Sequence, residues 1–373
     1  MNKRFKLLVY VFIVMALVLG ACSPAAAPTD AAKTEAAATE AAATEAAATE
    51  AATSGTEPTT LKIAILATTT AEEPWNTALL QAMDRVIAAK PHGLTISYTF
   101  QENIDTPDGE RVFGELAATG EYGIIWGDSV YPDAIAAVAP QYPDMAFVGA
   151  GSGYDVTQMG ENRYLVDVRI QEAAYLNGII AGKMTKSNVI GAVASYPYTN
   201  VNAPLNGFIA GAKSVNPDVK VKMNYINSWY DPAKAKEAAL SEIASGADYI
   251  YAERFGPFEA TSEKSVFAFG QYVDQNALAP ETVVSSTLAL WDPCINAIID
   301  AWWNHTVNGT PYSASNESAL YFLMKDGGSD IAPFHNFDSI IPQDVKDLVA
   351  ATKADIISGK LVVEENGNEV KGD

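Results

Sequence analysis

The chain has 373 residues, with 45 Asp and Glu against 24 Lys and Arg, and a net charge of −21. So acidic a chain repels phosphate backbones and anionic bilayers, which excludes a basic nucleic-acid groove and any purely electrostatic membrane attachment. Two cysteines cannot build a disulfide scaffold, whereas 49% hydrophobic residues over this length suffice for two domains of ordinary size.

Lys3, Arg4 and Lys6 precede Leu7–Ala21, an unbroken run of 15 apolar or small residues. That run is short for a bilayer span of roughly 20 residues, and residues 1–21 read as a secretory signal. It ends in Leu19-Gly20-Ala21-Cys22, which resembles the bacterial lipobox, where cleavage precedes a cysteine that becomes lipidated. A lipidated Cys22 would hold the protein on the outer side of a bacterial membrane. One acyl chain holds weakly, so several are implied. Residues 22–60 then form a low-complexity tether in which Thr34-Glu35-Ala36-Ala37-Ala38 recurs at Thr39 and Thr44. A five-residue period paints no apolar stripe, so nothing docks such a segment as a helix. As a coil it spans roughly 35 Å.

From Leu61 the pattern changes to alternating strands and helices. Strands are expected at 61–67, 94–100, 122–126, 145–149 and 164–168, with helices at 76–89, 110–118 and 132–139 between them. The series restarts with a helix at 171–184, a strand at 189–194, a helix at 205–214 and a strand at 219–226. A helix at 232–244 and strands at 249–252, 267–270 and 283–290 follow, then helices at 294–307 and 342–358. Alternation of this kind makes βαβ units and parallel sheets. Two doubly wound lobes with a cleft between them are expected, and in open α/β sheets ligands sit beyond the carboxyl ends of strands.

Those strand ends are rich in rings. Trp75 follows the first strand, Tyr131 the third, Trp229 the Asn227-Ser228 turn, Tyr272 and Trp291 two later strands. Each ring either packs a helix onto its sheet or faces the cleft. Asn202, Glu253, Arg254 and Asp274 supply polar groups at the same ends. Asp231-Pro232 reads as an N-cap with Pro at the first helical position. Several converging rings suit a flat apolar ligand held by stacking, worth roughly 1–3 kcal/mol per ring. Two rings and a few hydrogen bonds reach about −8 kcal/mol, a micromolar affinity.

Catalytic patterns are scarce. His92, His305 and His335 are scattered without metal-ligand spacing. Gly149-Ala150-Gly151-Ser152-Gly153 lacks the spacing of a dinucleotide fingerprint and reads as a flexible connection. Glu72-Glu73 reads as solvated surface, and Cys294 as a packed, inert thiol. No catalytic residue, metal or cofactor is expected.

Several stretches look familiar: Ala181-Gly182-Lys183-Met184-Thr185-Lys186-Ser187-Asn188-Val189-Ile190-Gly191, Asn202 with Gly207-Phe208-Ile209-Ala210-Gly211-Ala212 and Val215-Asn216-Pro217-Asp218, and Trp229-Tyr230-Asp231-Pro232-Ala233-Lys234. Together they resemble the basic membrane protein family of ABC-transporter substrate-binding lipoproteins, over about residues 61–328. The resemblance implies a type I periplasmic-binding-protein fold, with three crossovers and closure around a small ligand. Residues 61–168 with 292–308 would form one lobe, and 169–291 with 309–373 the other. It also implies a monomeric receptor delivering a purine base or nucleoside to an ABC permease; a ligand sensor lipoprotein and an extracellular hydrolase are the alternatives. Nucleoside binders of the family place an Asp and a Lys on the ribose hydroxyls. The aligned positions here are Tyr272 and Ala289, with Asp274 near enough to substitute. Buried ribose hydroxyls left unpaired cost about 1–3 kcal/mol each, which favours a free, adenine-like base.

Overall fold

The computed structural model describes residues 57–128, 130–151 and 155–373. The signal, Cys22 and almost all of the tether lie outside them, as do Ser152 and Gly153 of the glycine-rich stretch.

The first sheet begins with β1 (Thr60–Leu66), whose burial alternates at its start and becomes complete as it enters the sheet centre. There β2 (Thr95–Gln101) lies on one side and β3 (Ile124–Gly127) on the other, followed outward by β4 (Ala146–Ala150) and β5 (Arg163–Val168). All pair in parallel. Helix α1 (Pro74–Ala89) buries Ala78, Leu79, Ala82, Met83 and Val86 on one face of this sheet. Helices α2 (Gly109–Ala118) and α3 (Pro132–Val138) cover the other face with Phe113, Leu116 and Ile135.

The second sheet repeats the order. Strand β6 (Val189–Ala194) sits between β7 (Lys220–Tyr225) and β8 (Tyr249–Ala252), with β9 (Phe267–Tyr272) and β10 (Val283–Ala289) beyond. Its helices are α4 (Gln171–Met184), α5 (Thr199–Val215), α6 (Pro232–Ala244), α7 (Pro257–Lys264) and, near the C-terminus, α9 (Gln343–Ile357). Within each lobe the sheet order reverses beside its first strand, so a topological switch point lies at the carboxyl ends of β1 and β3, and another at β6 and β8.

The chain crosses between lobes three times, before α4, before α8 (Asp292–Asn308) and after β11 (Leu320–Phe322). Helix α8 buries Ile295, Ile298 and Ile299 in the first lobe's core. Strand β11 then pairs with β5, and β12 (Ser329–Ile331) runs antiparallel to β10. The expected placing of all of 309–373 in the second lobe therefore fails at β11, which belongs to the first sheet. Its three residues are too short a run to read from sequence.

Helix α5 starts at Thr199, six residues before the expected Leu205. Pro204 lies inside it and mimics a first helical position, because it has no N–H for the carbonyl four residues back. Helices α4 and α5 pack unusually closely. A Cβ on Gly178 would drive into the Phe208 carbonyl, and one on Gly211 into that of Tyr175. Gly182, Gly207 and Gly211, glycines of the family resemblance, therefore belong to a helix seam and not to the cleft lining.

Candidate functional site

A narrow cleft with about 30 Å³ of free space opens at both switch points, lined by Thr68, Thr69, Glu73, Trp75, Asp128, Val130, Asn200, Trp229, Arg254 and Tyr272. The first lobe supplies the residues that follow β1 and β3. The second supplies those that follow β6, β7 and β8, and the last residue of β9.

On the first-lobe side, Glu73 caps α1. Its Oε2 accepts from the backbone N–H groups of Trp75 and Asn76 at 3.0 and 3.3 Å, with Pro74 at the first helical position. This fixes the Trp75 ring at the cleft. Trp291 backs it edge-on at 4.9 Å, and Tyr272 of the second lobe meets it at 5.3 Å and 89°. Thr68 donates to Asp128 at 3.2 Å on the same wall.

On the second-lobe side, Asp231 accepts from the Lys234 N–H and caps α6, which stiffens the turn carrying Trp229. Tyr196 and Tyr198 pack against that indole at 5.0 and 5.7 Å. Tyr272 has φ 72°, a left-handed value that costs a residue with a side chain roughly 1–3 kcal/mol. The strain sits at the residue whose phenol enters the cleft.

Arg254 joins the two sides. Its Nη1 donates to Glu73 Oε1 across the cleft and to the Trp229 carbonyl, both at 3.0 Å. Nη2 donates to Glu253 Oε1 at 2.5 Å and to the Tyr272 hydroxyl at 3.3 Å, and Nε to Glu253 Oε2 at 2.8 Å. Glu253 is almost fully buried and also accepts from Ser195 N–H at 2.9 Å and from the Tyr272 hydroxyl at 3.0 Å. Burial pushes the Glu73 carboxyl up to about 7; Arg254 opposes this, while Asp128 and Glu253 add to it. Burial works against charge on Arg254, yet Glu253, Tyr272 and Glu73 hold its guanidinium protonated. Burial, then Glu253, raises the Tyr272 phenol well above its usual range.

Of the nine expected ligand residues, Trp75, Trp229, Arg254 and Tyr272 line the cleft and Glu253 lies directly behind Arg254. The other four are elsewhere. Tyr131 is a core residue of the first lobe, packed on Phe113 and donating to the Ile104 carbonyl. Asn202 holds the C-terminal segment through the Gly367 carbonyl and accepts from the Tyr225 hydroxyl. Asp274 pairs with His335 at 2.7 Å and accepts from the Asn276 N–H, outside the cleft lining. Trp291 is fully buried behind Trp75. Ala289 is buried at the end of β10.

Sequence reasoning missed Thr68, Thr69, Glu73, Asp128, Val130 and Asn200 as cleft residues. Glu73 carried a usable signal, since Glu73-Pro74 repeats the cap-and-proline pattern recognised at Asp231-Pro232. Among the described residues no cluster of His, Cys, Asp or Glu is placed to hold a metal ion. No helix among them is long and apolar enough to cross a membrane.

Comparison with known proteins gives the arrangement a context. A purine-binding protein of Brucella abortus is 32% identical over 276 residues, covering 72% of this chain and 73% of its own. A protein of Haloferax volcanii named as an ABC transporter glucose-binding protein is 32% identical over 277 residues, 71% of this chain and 64% of its own. Among solved structures, an ABC transporter solute-binding protein of Conexibacter woesei superposes with a TM-score of 0.66 at 20% identity, covering 83% of this chain and all of its own. Residues 62–360 match the family described as ABC transporter substrate-binding protein PnrA-like. The chain belongs to this Bmp family, whose members are extracytoplasmic substrate-binding proteins of ABC transporters and not enzymes.

Proposed function

We propose that the protein captures a purine base, adenine ahead of adenosine, and delivers it to an ABC permease while a lipid on Cys22 tethers it, as a monomer, to the outer face of the membrane. One observation carries the ligand reading. Tyr272 occupies the position where the family resemblance puts the ribose-binding Asp, and its hydroxyl is already engaged by Glu253 and Arg254. Its ring also meets Trp75 and narrows the space a sugar would need. Trp75 and Trp229 offer faces for a planar ring, and Thr68, Asp128 and Asn200 offer donors and acceptors to its edge.

Calorimetry with adenine, adenosine and glucose tests the ligand. Adenine binds most tightly on this reading; tighter binding of adenosine would refute the argument from Tyr272, and tighter binding of glucose would refute the purine. The anchor rests on the basic start, the short apolar run and the small residues before Cys22. A Cys22→Ala variant is expected to lose acyl labelling and membrane association, and retention of both would remove the anchor from the proposal.

A further inference from the structure

We propose that Arg254 is a positioning residue that clasps the two lobes through Glu73 and does not bind the ligand itself. A guanidinium has five N–H donors in a fixed fork. In Arg254 all five are used: Nε on Glu253, Nη1 on Glu73 and the Trp229 carbonyl, Nη2 on Glu253 and the Tyr272 hydroxyl. The group lines the cleft yet has no donor left to offer.

Its partners explain what it does instead. The Trp229 backbone carbonyl and the Tyr272 hydroxyl belong to two aromatic residues of the second lobe. Glu73 belongs to the first lobe, and its other oxygen caps the backbone N–H of Trp75. One side chain thus sets three aromatic walls, from both lobes, in a single register. Arg254 and Glu73 are each about 5% exposed and come from opposite lobes, so parting the lobes breaks their bond. Glu253 stays beside Arg254 on the same lobe in either state, which keeps the guanidinium paired when the lobes part. The clasp therefore acts on the closed state alone, and its loss accelerates ligand departure without slowing arrival. This inference rests on the purine reading only for the choice of probe.

The test is stopped-flow tryptophan fluorescence with adenine on the wild type, Glu73→Gln, Arg254→Lys and the double variant. Truncating one partner of a buried charge pair acts on dissociation. Each single variant is expected to release adenine at least about tenfold faster with an unchanged association rate. The double variant is expected to match the singles, because either change breaks the same clasp. Additive losses would mean that Arg254 contacts the ligand, and unchanged dissociation would mean that the bridge is inert; either outcome overturns the proposal. Should Arg254→Lys fold poorly, Glu73→Asp keeps a carboxylate cap on α1 while withdrawing it from Arg254, and is expected to speed release as well. A wild type that binds glucose and not adenine overturns the purine reading instead, and the same cycle is then run with glucose.

Discussion

Two indoles show how burial separates packing from binding. Trp229 is half-buried at the cleft and backed by two tyrosines, whereas Trp291 has no exposed surface and fills the first lobe's core behind Trp75. Replacing Trp291 with alanine is expected to cost roughly 3–5 kcal/mol of stability, read as a sharply lowered melting temperature. The same change at Trp229 is expected to leave the melt almost unchanged and to weaken binding by roughly 1–3 kcal/mol in a titration. A reversed pattern would exchange their roles. Sequence placed both rings at strand ends and could go no further, because which side of a strand end faces the other lobe depends on how the lobes meet. Tyr131 shows the same limit: it follows β3 as Trp229 follows β7, yet it turns back onto Phe113.

At the scale of elements, most strands and helices were readable from periodicity and capping, with boundaries that moved by at most two residues. Helix α4, strand β6 and helix α6 stand where the pattern put them. The failures have local causes: Pro204 concealed the first turn of α5, and the eight residues of α7 gave too weak a pattern to register. The α4–α5 seam is the least tolerant junction, since Gly178 and Gly211 each abut the backbone of the opposite helix. Gly211→Ala is expected to destabilise the protein by at least roughly 1–3 kcal/mol, because the methyl group meets a carbonyl that cannot move without parting the helices. A denaturant titration checks it, and adenine affinity per folded molecule should not change.

For the whole molecule, buried carboxyls set the response to pH. Glu73 is raised to about 7, and Glu242, buried in the second lobe, is raised well above the usual range by desolvation that its hydrogen bond from Asn224 only partly offsets. A carboxyl whose folded value exceeds its unfolded one binds its proton more tightly in the native state. Its contribution is full below the unfolded value of about 4.5 and declines as pH rises toward the folded value. The protein is therefore expected to melt at a higher temperature at pH 5 than at pH 8. Glu242→Gln is expected to narrow that difference, and an unchanged slope would show that Glu242 is ionised in the fold. The two-lobed architecture itself was legible from alternation. The clasp was not, because Glu73 and Arg254 lie 181 positions apart and nothing local announces that they meet. The α4–α5 seam has a further consequence for inheritance. Most of the glycines that reveal this chain's ancestry hold two helices together, with Trp229 the one familiar residue at the cleft, and the rest of the cleft lining sits at the far end of the strands. Cargo can therefore change along a lineage while kinship stays visible, and two relatives equally close to this chain can carry different molecules.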